Sequence, residues 1–440
     1  MLASKELVAD GPLNYPQQEW FRGVEFESVD RGRDNQVIEC SGPGDSHQQL
    51  IAALTTVIGE HETLRTTFDV RGPVRGEGLQ HVHAAPSLEE VEAQVRNIEQ
   101  LSELRYKNFS VADELPVEAF LGSDANGNSK LVLVMDHSLT DFYGGHVLRN
   151  AIEDLVRGEG SRVDDALQPL GLHHLEYKST FPARRRLDQW KRTVDRMAHA
   201  QNAGSVQIVN RRGFTQQSDA ATADVTLTST DLARQTAFIA RRARVSQAAV
   251  FLALFRVAQY GVCDISVYSP AVICANRGMP GADKGALKTY MPSYIHTEIS
   301  PADTFRNVLV SSAGELLGAG ERCHLPWLEA ISYAEEHVPT AMDNFFNVVH
   351  VDRRSGAVPL VGQMRHFEQG PGHMNGRAVM ISVFYTSELA DVVLKHRVDL
   401  LPKDEAGQVI LLMEKIAQAV VHEEALDLSM SSLVARGDAR

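Results

Sequence analysis

His137 directly follows a short apolar segment, with one carboxylate next to it and a second a few residues further on. Residues 131–135 are all apolar, and Asp136, His137 and Asp141 come after them in the chain. The unperturbed pKa of histidine lies close to neutrality, so its side chain can accept and return a proton at physiological pH. The residue types and their spacing therefore point to general base chemistry at His137. A structural histidine at a strand end is the commoner case, and the bare pattern leaves that alternative open.

Two elements are expected to hold these side chains. A continuous apolar run of strand length, such as residues 131–135, is typical of a strand buried on both faces. The following residues, 142–156, carry apolar side chains at helical spacing, namely Val147, Leu148, Ile152 and Leu155. His137 and Asp141 are then predicted to lie in a strand-to-helix turn, in which Asp141 caps the helix.

The length and composition predict a globular protein of two domains or one large two-lobed unit. The 440 residues exceed what one hydrophobic core usually organises, and the apolar fraction of 43% is ordinary for a soluble chain. Lys and Arg together number 43 against 57 Asp and Glu, which gives a formal charge of −14. An acidic chain of this kind disfavours nucleic-acid binding, because phosphate contacts require a basic face.

The cysteines and the N-terminal segment indicate a cytoplasmic protein. No CxxC pair occurs among the four cysteines, so a zinc site is not expected and free thiols are the simplest interpretation; they are Cys40, Cys263, Cys274 and Cys323. Residues 1–16 lack the apolar centre of a signal peptide, and no apolar stretch is long enough to cross a membrane. We therefore expect no bound metal and no contact with a membrane.

Both halves of the chain alternate between strand-like and helix-like segments. In the first half, helices are predicted at 47–60 and 88–105, and a strand is predicted in 61–70. Paired strands are predicted at 117–122 and 131–135. Predicted helices of the second half lie at 186–200, 230–242, 246–260, 301–318, 326–337 and 404–422, and its strands at 224–228, 264–275, 344–351, 378–387 and 391–398. The fold class is therefore α/β, of the α+β kind.

Several common functional motifs are absent from the sequence. It contains no GxGxxG after a strand, no GxxxxGK[ST], no HExxH and no GxSxG. Their absence argues against the usual nucleotide-binding sites, zinc proteases and serine hydrolases.

The turn at 136–144 resembles the HHxxxDG motif of the condensation-domain superfamily. This superfamily includes chloramphenicol acetyltransferase, the condensation domains of nonribosomal peptide synthetases and the polyketide-associated acyltransferases. Other segments resemble the family's further motifs in the same order along the chain: LNYPQQEWF (13–21), HETLRTTF (61–68), LEYKSTFPARRRLDQW (175–190), SPAVICANRG (269–278), GALKTYMPSYIHTEI (285–299), RCHLPWLEAIS (322–332) and the strand at 344–351.

The resemblance implies two chloramphenicol-acetyltransferase-like lobes, residues 1–175 and 176–440, arranged as a V-shaped pseudo-dimer with a central tunnel. It also implies a free-standing monomer that transfers an acyl group from a thioester to an amine or hydroxyl. Acyl or peptidyl carrier proteins would present the substrates on phosphopantetheine arms, and the chain itself would bind no cofactor. The acceptor would be a small molecule or carrier-bound.

The resemblance also assigns roles to individual residues. His137 would accept the acceptor's proton or position the acceptor, and Asp141 would pair with Arg277 to hold the turn. The sequence departs from the motif at two positions, since Asp136 replaces its first histidine and Phe142 its glycine. Asp136 could raise the pKa of His137, and Phe142 could narrow the tunnel.

Three further residues belong to the expected site. Gly144 stands close to the position where the motif has its glycine, and it could restore local flexibility. Tyr290 and Asn347 are candidate polar groups of the tunnel wall.

Three functions stay open at this point. The first is a condensation enzyme of natural-product, including antibiotic, biosynthesis that forms an amide or ester. The second is an acyltransferase of the polyketide-associated type that esterifies a free alcohol. The third is a catalytically silent protein that binds a carrier protein and recruits another enzyme, and the retained His137 argues against it.

Overall fold

The chain folds into two compact units. The computed structural model describes residues 6–22, 31–70, 76–160, 166–202, 221–338, 344–351, 378–422 and 426–438. The first unit comprises Met1–Ala183, Ala275–Met291 and Pro326–Leu328, and the second comprises Arg184–Cys274, Pro292–Leu325 and Glu329–Arg440. These units differ from the predicted domains 1–175 and 176–440, because the chain returns to the first unit after Cys274.

The first unit combines two β-sheets with helices. Its strands are β1 (Leu7–Pro12), β2 (Gln36–Gly42), β3 (Thr66–Asp69), β4 (Leu79–His83), β5 (Arg96–Asn97), β6 (Val117–Ser123) and β7 (Ser129–Met135). Its helices are α1 (Tyr15–Arg22), α2 (His47–Glu60), α3 (Leu88–Glu92), α4 (Leu101–Leu104), α5 (Phe142–Val156) and α6 (Pro169–Glu176). The strands form one sheet of order β2-β7-β6-β5 and a second of order β1-β4-β3.

β7 is the interior strand that leads to the predicted site. It pairs antiparallel with β2 on one side and β6 on the other, so that Met135 stands opposite both Gln36 and Val117. Residues 131–135 are each 0% exposed, which confirms the prediction of a strand buried on both faces. The apolar side chains of β7, α2 and α5 form the core of this unit.

The second unit is also a mixed α/β structure. Its helices are α7 (Ala183–Asn202), α8 (Thr230–Ala243), α9 (Gln247–Cys263), α10 (Phe305–Arg322), α11 (Trp327–His337), α12 (Lys403–His422) and α13 (Met430–Asp438). Its strands are β8 (Thr222–Ser229), β9 (Val267–Tyr268), β10 (Ala271–Cys274), β11 (Met291–Tyr294), β12 (Thr297–Glu298), β13 (Asn344–His350), β14 (Val379–Tyr385) and β15 (Ala390–Arg397).

A mixed six-stranded sheet forms the framework of the second unit. Its order is β11-β10-β13-β14-β15-β8, in which β13 is parallel to both β10 and β14, whereas β15 is antiparallel to β14 and β8. β9 and β12 form a separate antiparallel pair. The helix α9 is buried along most of its length and packs with α12 and α10 into the core.

Among the described residues, no single helix is both long and apolar enough to cross a membrane, and only the consecutive helices α8 and α9, bent by 108°, reach that length and composition as a pair.

Three predicted elements differ from the structure. The helix expected over 88–105 is interrupted, because Arg96–Asn97 pairs as a strand with β6 and Arg96 binds the carboxylate of Glu118. The strand expected over 264–275 is split into β9 and β10 at Ser269 and Pro270, where proline cannot donate a ladder hydrogen bond. The segment 61–70 begins as a 3-10 turn, and only its second half forms β3.

His61 makes the stability of the first unit sensitive to acid. The side chain is 0% exposed, and burial lowers its pKa to about 4. In the unfolded chain His61 is protonated below about pH 6.5, whereas in the folded chain it stays neutral down to about pH 4. The free energy of unfolding therefore falls as the pH is lowered through that interval. We expect this residue to remove about 3 kcal/mol between neutral pH and pH 4.

Unfolding of wild type and His61→Leu by urea, at neutral pH and at about pH 4.5, measures this difference. On acidification, the free energy of unfolding should fall less in His61→Leu than in wild type. This holds even if the substitution itself lowers stability at neutral pH. His174→Leu is the matched control, because His174 is exposed on α6. Equal pH dependence of wild type and His61→Leu would contradict the expectation.

Candidate functional site

The turn between β7 and α5 is fixed on two sides by hydrogen bonds. The carbonyl of Leu139 accepts from the hydroxyl of Thr63, which belongs to the HETLRTTF segment, and from the backbone N–H of Lys288 at 3.1 Å. The hydroxyl of Thr140 donates to the carbonyl of Ala286 at 2.6 Å. The segment between β10 and β11 therefore lies against the turn and holds its backbone in place.

The imidazole of His137 has a defined orientation. Its Nδ1 lies 2.8 Å from the carbonyl oxygen of Thr140, and a carbonyl can only accept a hydrogen bond. Nδ1 therefore carries the proton, and Nε2 of the neutral ring is left as the acceptor. His137 is partly exposed, whereas its neighbours Asp136 and Ser138 are buried.

Two aromatic rings pack against this imidazole. The indole of Trp20 lies edge-on, with 5.1 Å between ring centroids, and the phenol of Tyr290 lies at 5.2 Å. Burial raises the pKa of Tyr290 well above its usual value, so its hydroxyl keeps its proton at neutral pH. The two rings therefore cover part of the imidazole, close to the charged groups of Lys288, Asp141 and Glu19.

The environment lowers the pKa of His137. Burial is the main cause, and the ammonium group of Lys288 adds to it. The carbonyl of Thr140 and the carboxylates of Asp141 and Glu19 act in the opposite direction but do not outweigh these effects. The ring is therefore neutral near pH 7, which is the form that a general base needs.

Asp141 is the N-cap residue of α5, in agreement with the local sequence pattern. Its Oδ1 accepts a hydrogen bond from the N–H of Gly144 at 2.9 Å and from the guanidinium of Arg277. Its Oδ2 accepts from the N–H groups of Thr289 at 2.9 Å and Tyr290 at 3.2 Å. Every one of these donors either starts the helix or belongs to the segment that lies against the turn.

Arg277 connects Asp141 to the loop before β11. Besides binding the carboxylate, its guanidinium donates to the carbonyls of Ala282 at 2.7 Å, Gly285 at 2.6 Å and Leu287 at 3.0 Å. Burial by itself raises the pKa of Asp141, but Arg277 and the N–H donors lower it more, so the carboxyl is ionised. The two residues that the resemblance paired are thus in contact, and their supporting role stays a prediction.

Asp136 holds the ring that packs on His137. Its side chain is 1% exposed, and Oδ1 accepts from the indole N–H of Trp20 at 3.1 Å and from the N–H of Ser138 at 2.9 Å. Its Oδ2 lies 3.4 Å from Nε of Arg31. The net pKa shift of His137 is downward, so an aspartate at this position does not produce the raised pKa that the sequence suggested.

Gly144, and not the residue directly after Asp141, makes the close backbone approach at this turn. A Cβ atom at Gly144 would lie 2.3 Å from the carbonyl oxygen of Ala286 and 2.3 Å from the hydroxyl of Thr140. Phe142 is partly exposed at the start of α5 and stacks edge-on with His146, with 4.5 Å between centroids. Its effect on a tunnel stays a prediction.

The sequence did not identify a buried ion pair beside His137. Lys288 binds the carboxylate of Glu19 and also donates to the carbonyl of Pro16 at 2.9 Å. One signal was available: a lysine within an otherwise apolar and small run, and a glutamate next to Trp20 in the segment 13–21. Neither pattern predicts that Lys288 and Glu19 pair with each other, and that contact is found only in the structure.

The remaining predicted residue, Asn347, belongs to the second unit. It lies in the middle of the interior strand β13, opposite Ser382 of β14. Its role and the V-shaped arrangement with a tunnel stay predictions. In the part of the chain that the structure describes, no three His, Cys, Asp or Glu side chains are grouped as metal ligands would be.

Comparison with known proteins bears on the fold. No protein-family model matches the chain, and no curated protein matches it. The condensation domain of the monacolin K polyketide synthase MokA is 14% identical with a TM-score of 0.74, over 97% of this chain and 100% of that chain. The condensation domain for chain release from the enacyloxin polyketide synthase is 15% identical with a TM-score of 0.72, over 97% of this chain and 84% of that chain.

A third solved structure of this kind is a complex with another protein. The X-domain from teicoplanin biosynthesis, bound to OxyB, is 14% identical with a TM-score of 0.67, over 98% of this chain and 97% of that chain. All three likenesses extend over nearly the whole chain at low identity. The protein therefore has the α/β fold of the condensation-domain superfamily.

Proposed function

We propose that the protein transfers an acyl or aminoacyl group from a carrier-protein thioester to an amine or hydroxyl acceptor. One observation carries the proposal: Nδ1 of His137 lies against the Thr140 carbonyl, which leaves Nε2 as the acceptor atom of the ring. Burial and the Lys288 ammonium group, which lower the pKa of His137, favour the same neutral form. A thioester is already activated, so the protein has to align two substrates and manage one proton. The similarity to condensation domains supports the same reaction class.

The proposed step is balanced by His137 alone. The acceptor nitrogen or oxygen attacks the thioester carbonyl, and its proton passes to Nε2 of His137. The carbon–sulfur bond then breaks, and the imidazolium returns the proton to the departing thiolate of the phosphopantetheine arm. The amide or ester is released, and His137 is neutral again. An alcohol needs the base more than an amine does, because the alcohol is the weaker nucleophile.

The order of the hydrogen bonds explains how the base is held. β7 brings His137 to the end of a buried strand, and the Thr140 carbonyl fixes the ring through Nδ1. Asp141 and Arg277 then hold the turn to which both residues belong. A base kept in one orientation loses less entropy when it meets its substrate.

A catalytically silent protein that recruits a partner is the second candidate. It is supported by the likeness to the X-domain solved in complex with OxyB, and by Asp136, which takes the place of the motif histidine and serves to anchor Trp20. On this alternative the chain would bind a carrier protein or a partner protein without turnover.

Intact-mass analysis of a loaded carrier protein separates the two. Carrier proteins bearing acetyl, hexanoyl or glycyl thioesters on phosphopantetheine are mixed with the protein and with a set of amines and alcohols. Protein-dependent loss of the acyl mass, together with the mass of the new amide or ester, supports the proposal. Binding of the carrier without acyl loss in any combination supports recruitment and counts against catalysis. The acceptor that reacts distinguishes amide from ester formation.

A further inference from the structure

A buried lysine stands beside the proposed base, and the proposed step makes no use of it. The side chain of Lys288 is 1% exposed and that of its partner Glu19 is 12% exposed. Moving two charges out of water carries a desolvation penalty that can exceed the attraction between them. Apolar residues of the same volume would often be as stable there. Stability alone therefore does not account for this ion pair, and its contacts with neighbouring side chains indicate its role.

The ammonium group of Lys288 lies next to both rings that pack on His137. Its Nζ is 4.0 Å from the ring centroid of Tyr290 and 5.9 Å from the ring of Trp20. These are distances at which a cation is attracted to an aromatic face. The carbonyl of Pro16 and the carboxylate of Glu19 hold the ammonium group at this point, and both come from the helix that carries Trp20.

We propose that the Lys288–Glu19 ion pair is a positioning device for His137, in which the ammonium group holds Trp20 and Tyr290 against the imidazole and keeps Nε2 an acceptor. The inference rests on the proposed function, because positioning of His137 matters only if His137 acts as a base. The experiment that tests it, however, needs no acyl transfer. It assigns two positioning residues that act on the base without touching the substrate.

The charges around His137 are consistent with this role. In the turn, the carboxylate of Asp141 acts on the imidazole, whereas that of Asp136 is engaged by Trp20 and Arg31. Glu19 acts on it from α1, Lys288 acts on it from the segment before β11, and the protonated Tyr290 of that segment packs against it. Lys288 is the cation that opposes protonation of the ring, while Glu19 and Asp141 favour it.

Removing Lys288 and removing Glu19 are expected to shift the pKa of His137 in opposite directions. Removing the positive charge in Lys288→Met leaves Glu19 unopposed, so the pKa of His137 should rise. Removing the negative charge in Glu19→Gln leaves Lys288 unopposed, so the pKa of His137 should fall. A merely structural role would disturb the site in both variants without this reversal of sign.

Histidine NMR of the full chain measures this without any substrate. The His137 signal is assigned among the 17 histidines by its absence in His137→Ala, and its pH titration is compared in wild type and both variants. Lys284→Met is the matched control, because Lys284 lies in the same segment but is exposed. If Lys288→Met does not fold, Lys288→Gln, which also removes the positive charge, replaces it; Lys288→Arg, which keeps the charge, should retain the wild-type titration.

Opposite shifts of the His137 titration, with no shift in Lys284→Met, support the proposal. Shifts in the same direction, or none beyond the control, overturn it. In an active protein the acid limb of the kcat profile should move with the titration, while KM stays within about twofold. A failed acyl-transfer assay with opposite NMR shifts would reject the proposed function and leave the positioning role intact; the reverse result would reject only the positioning role.

Discussion

Replacing His137 with alanine is expected to reduce the rate of acyl transfer by about 10²- to 10⁴-fold, the usual contribution of a general base. Nδ1 of His137 is held by the Thr140 carbonyl, which leaves Nε2 as the proposed site of proton uptake. Alanine removes the base without removing the turn, because Thr140, Asp141 and Arg277 keep their contacts. The loss should therefore fall mainly on kcat, and KM should change little.

The size of the loss depends on the acceptor. An amine is a nucleophile in its own right, so positioning supplies more of the rate and the loss should lie at the lower end. A hydroxyl acceptor needs proton removal, so the loss should lie at the upper end. Single-turnover assays with a preloaded carrier protein, at saturating acceptor, measure both cases. His174→Ala is the control, because His174 is exposed on α6 outside the site.

The rates of wild type and His137→Ala distinguish a catalytic His137 from a dispensable one and from a recruitment protein. A rate of His137→Ala within a few-fold of wild type would reject the base assignment while leaving acyl transfer in place. No turnover in either protein, together with carrier binding by both, would favour recruitment. Only a large, acceptor-dependent loss in the variant agrees with a catalytic imidazole.

The local part of this site follows from the sequence. An apolar run, a histidine and a carboxylate just before a helical pattern determine β7, the turn and the N-cap of α5, because each depends on neighbours within a few residues. The contact between Asp141 and Arg277 was expected only from the resemblance, since nothing local connects two residues 136 positions apart.

The surroundings of His137 could not be predicted in the same way. Lys288 meets the carbonyl of Pro16 across 272 positions, and Trp20 meets Asp136 across 116 positions. The first pair depends on how the chain returns to the first unit after β10, and the second on the contact between α1 and the end of β7; periodicity carries no information about either. The helix expected over 88–105 is interrupted because Arg96–Asn97 pairs with β6, and this pairing overrides the helical pattern between α3 and α4.

Breaking the Asp141–Arg277 pair is expected to have the largest effect on stability. Asp141 is 2% exposed, and Arg277 also binds three backbone carbonyls of the adjoining loop. Removing one partner of such a pair leaves an uncompensated buried charge, which costs about 3–5 kcal/mol. Arg277→Met should lower the free energy of unfolding by about this amount. It also leaves the carbonyls of Ala282, Gly285 and Leu287 without their guanidinium donor.

Asp141→Asn tests the same pair from the other side. The amide keeps the shape of the carboxylate but not its charge, so Arg277 loses its counter-ion and the N-cap is weakened. In the wild type, the lowered pKa of Asp141 means that its contribution is complete above the unfolded value of about 3.8 and is lost as the pH falls through the folded value. This decline in acid should be smaller in the variant.

Equilibrium unfolding of the two single variants and of the double variant measures the coupling between the residues. The double variant should cost less than the sum of the single ones, because neither charge is then left alone. Arg157→Met is the matched control at the end of the same helix: Arg157 is half-exposed and pairs with the equally exposed Glu159 at 3.2 Å, and an exposed pair contributes about 0.2–1 kcal/mol. If Arg277→Met costs no more than Arg157→Met, the buried pair does not hold the turn, and the orientation of His137 must come from the Thr140 carbonyl and the two aromatic rings alone.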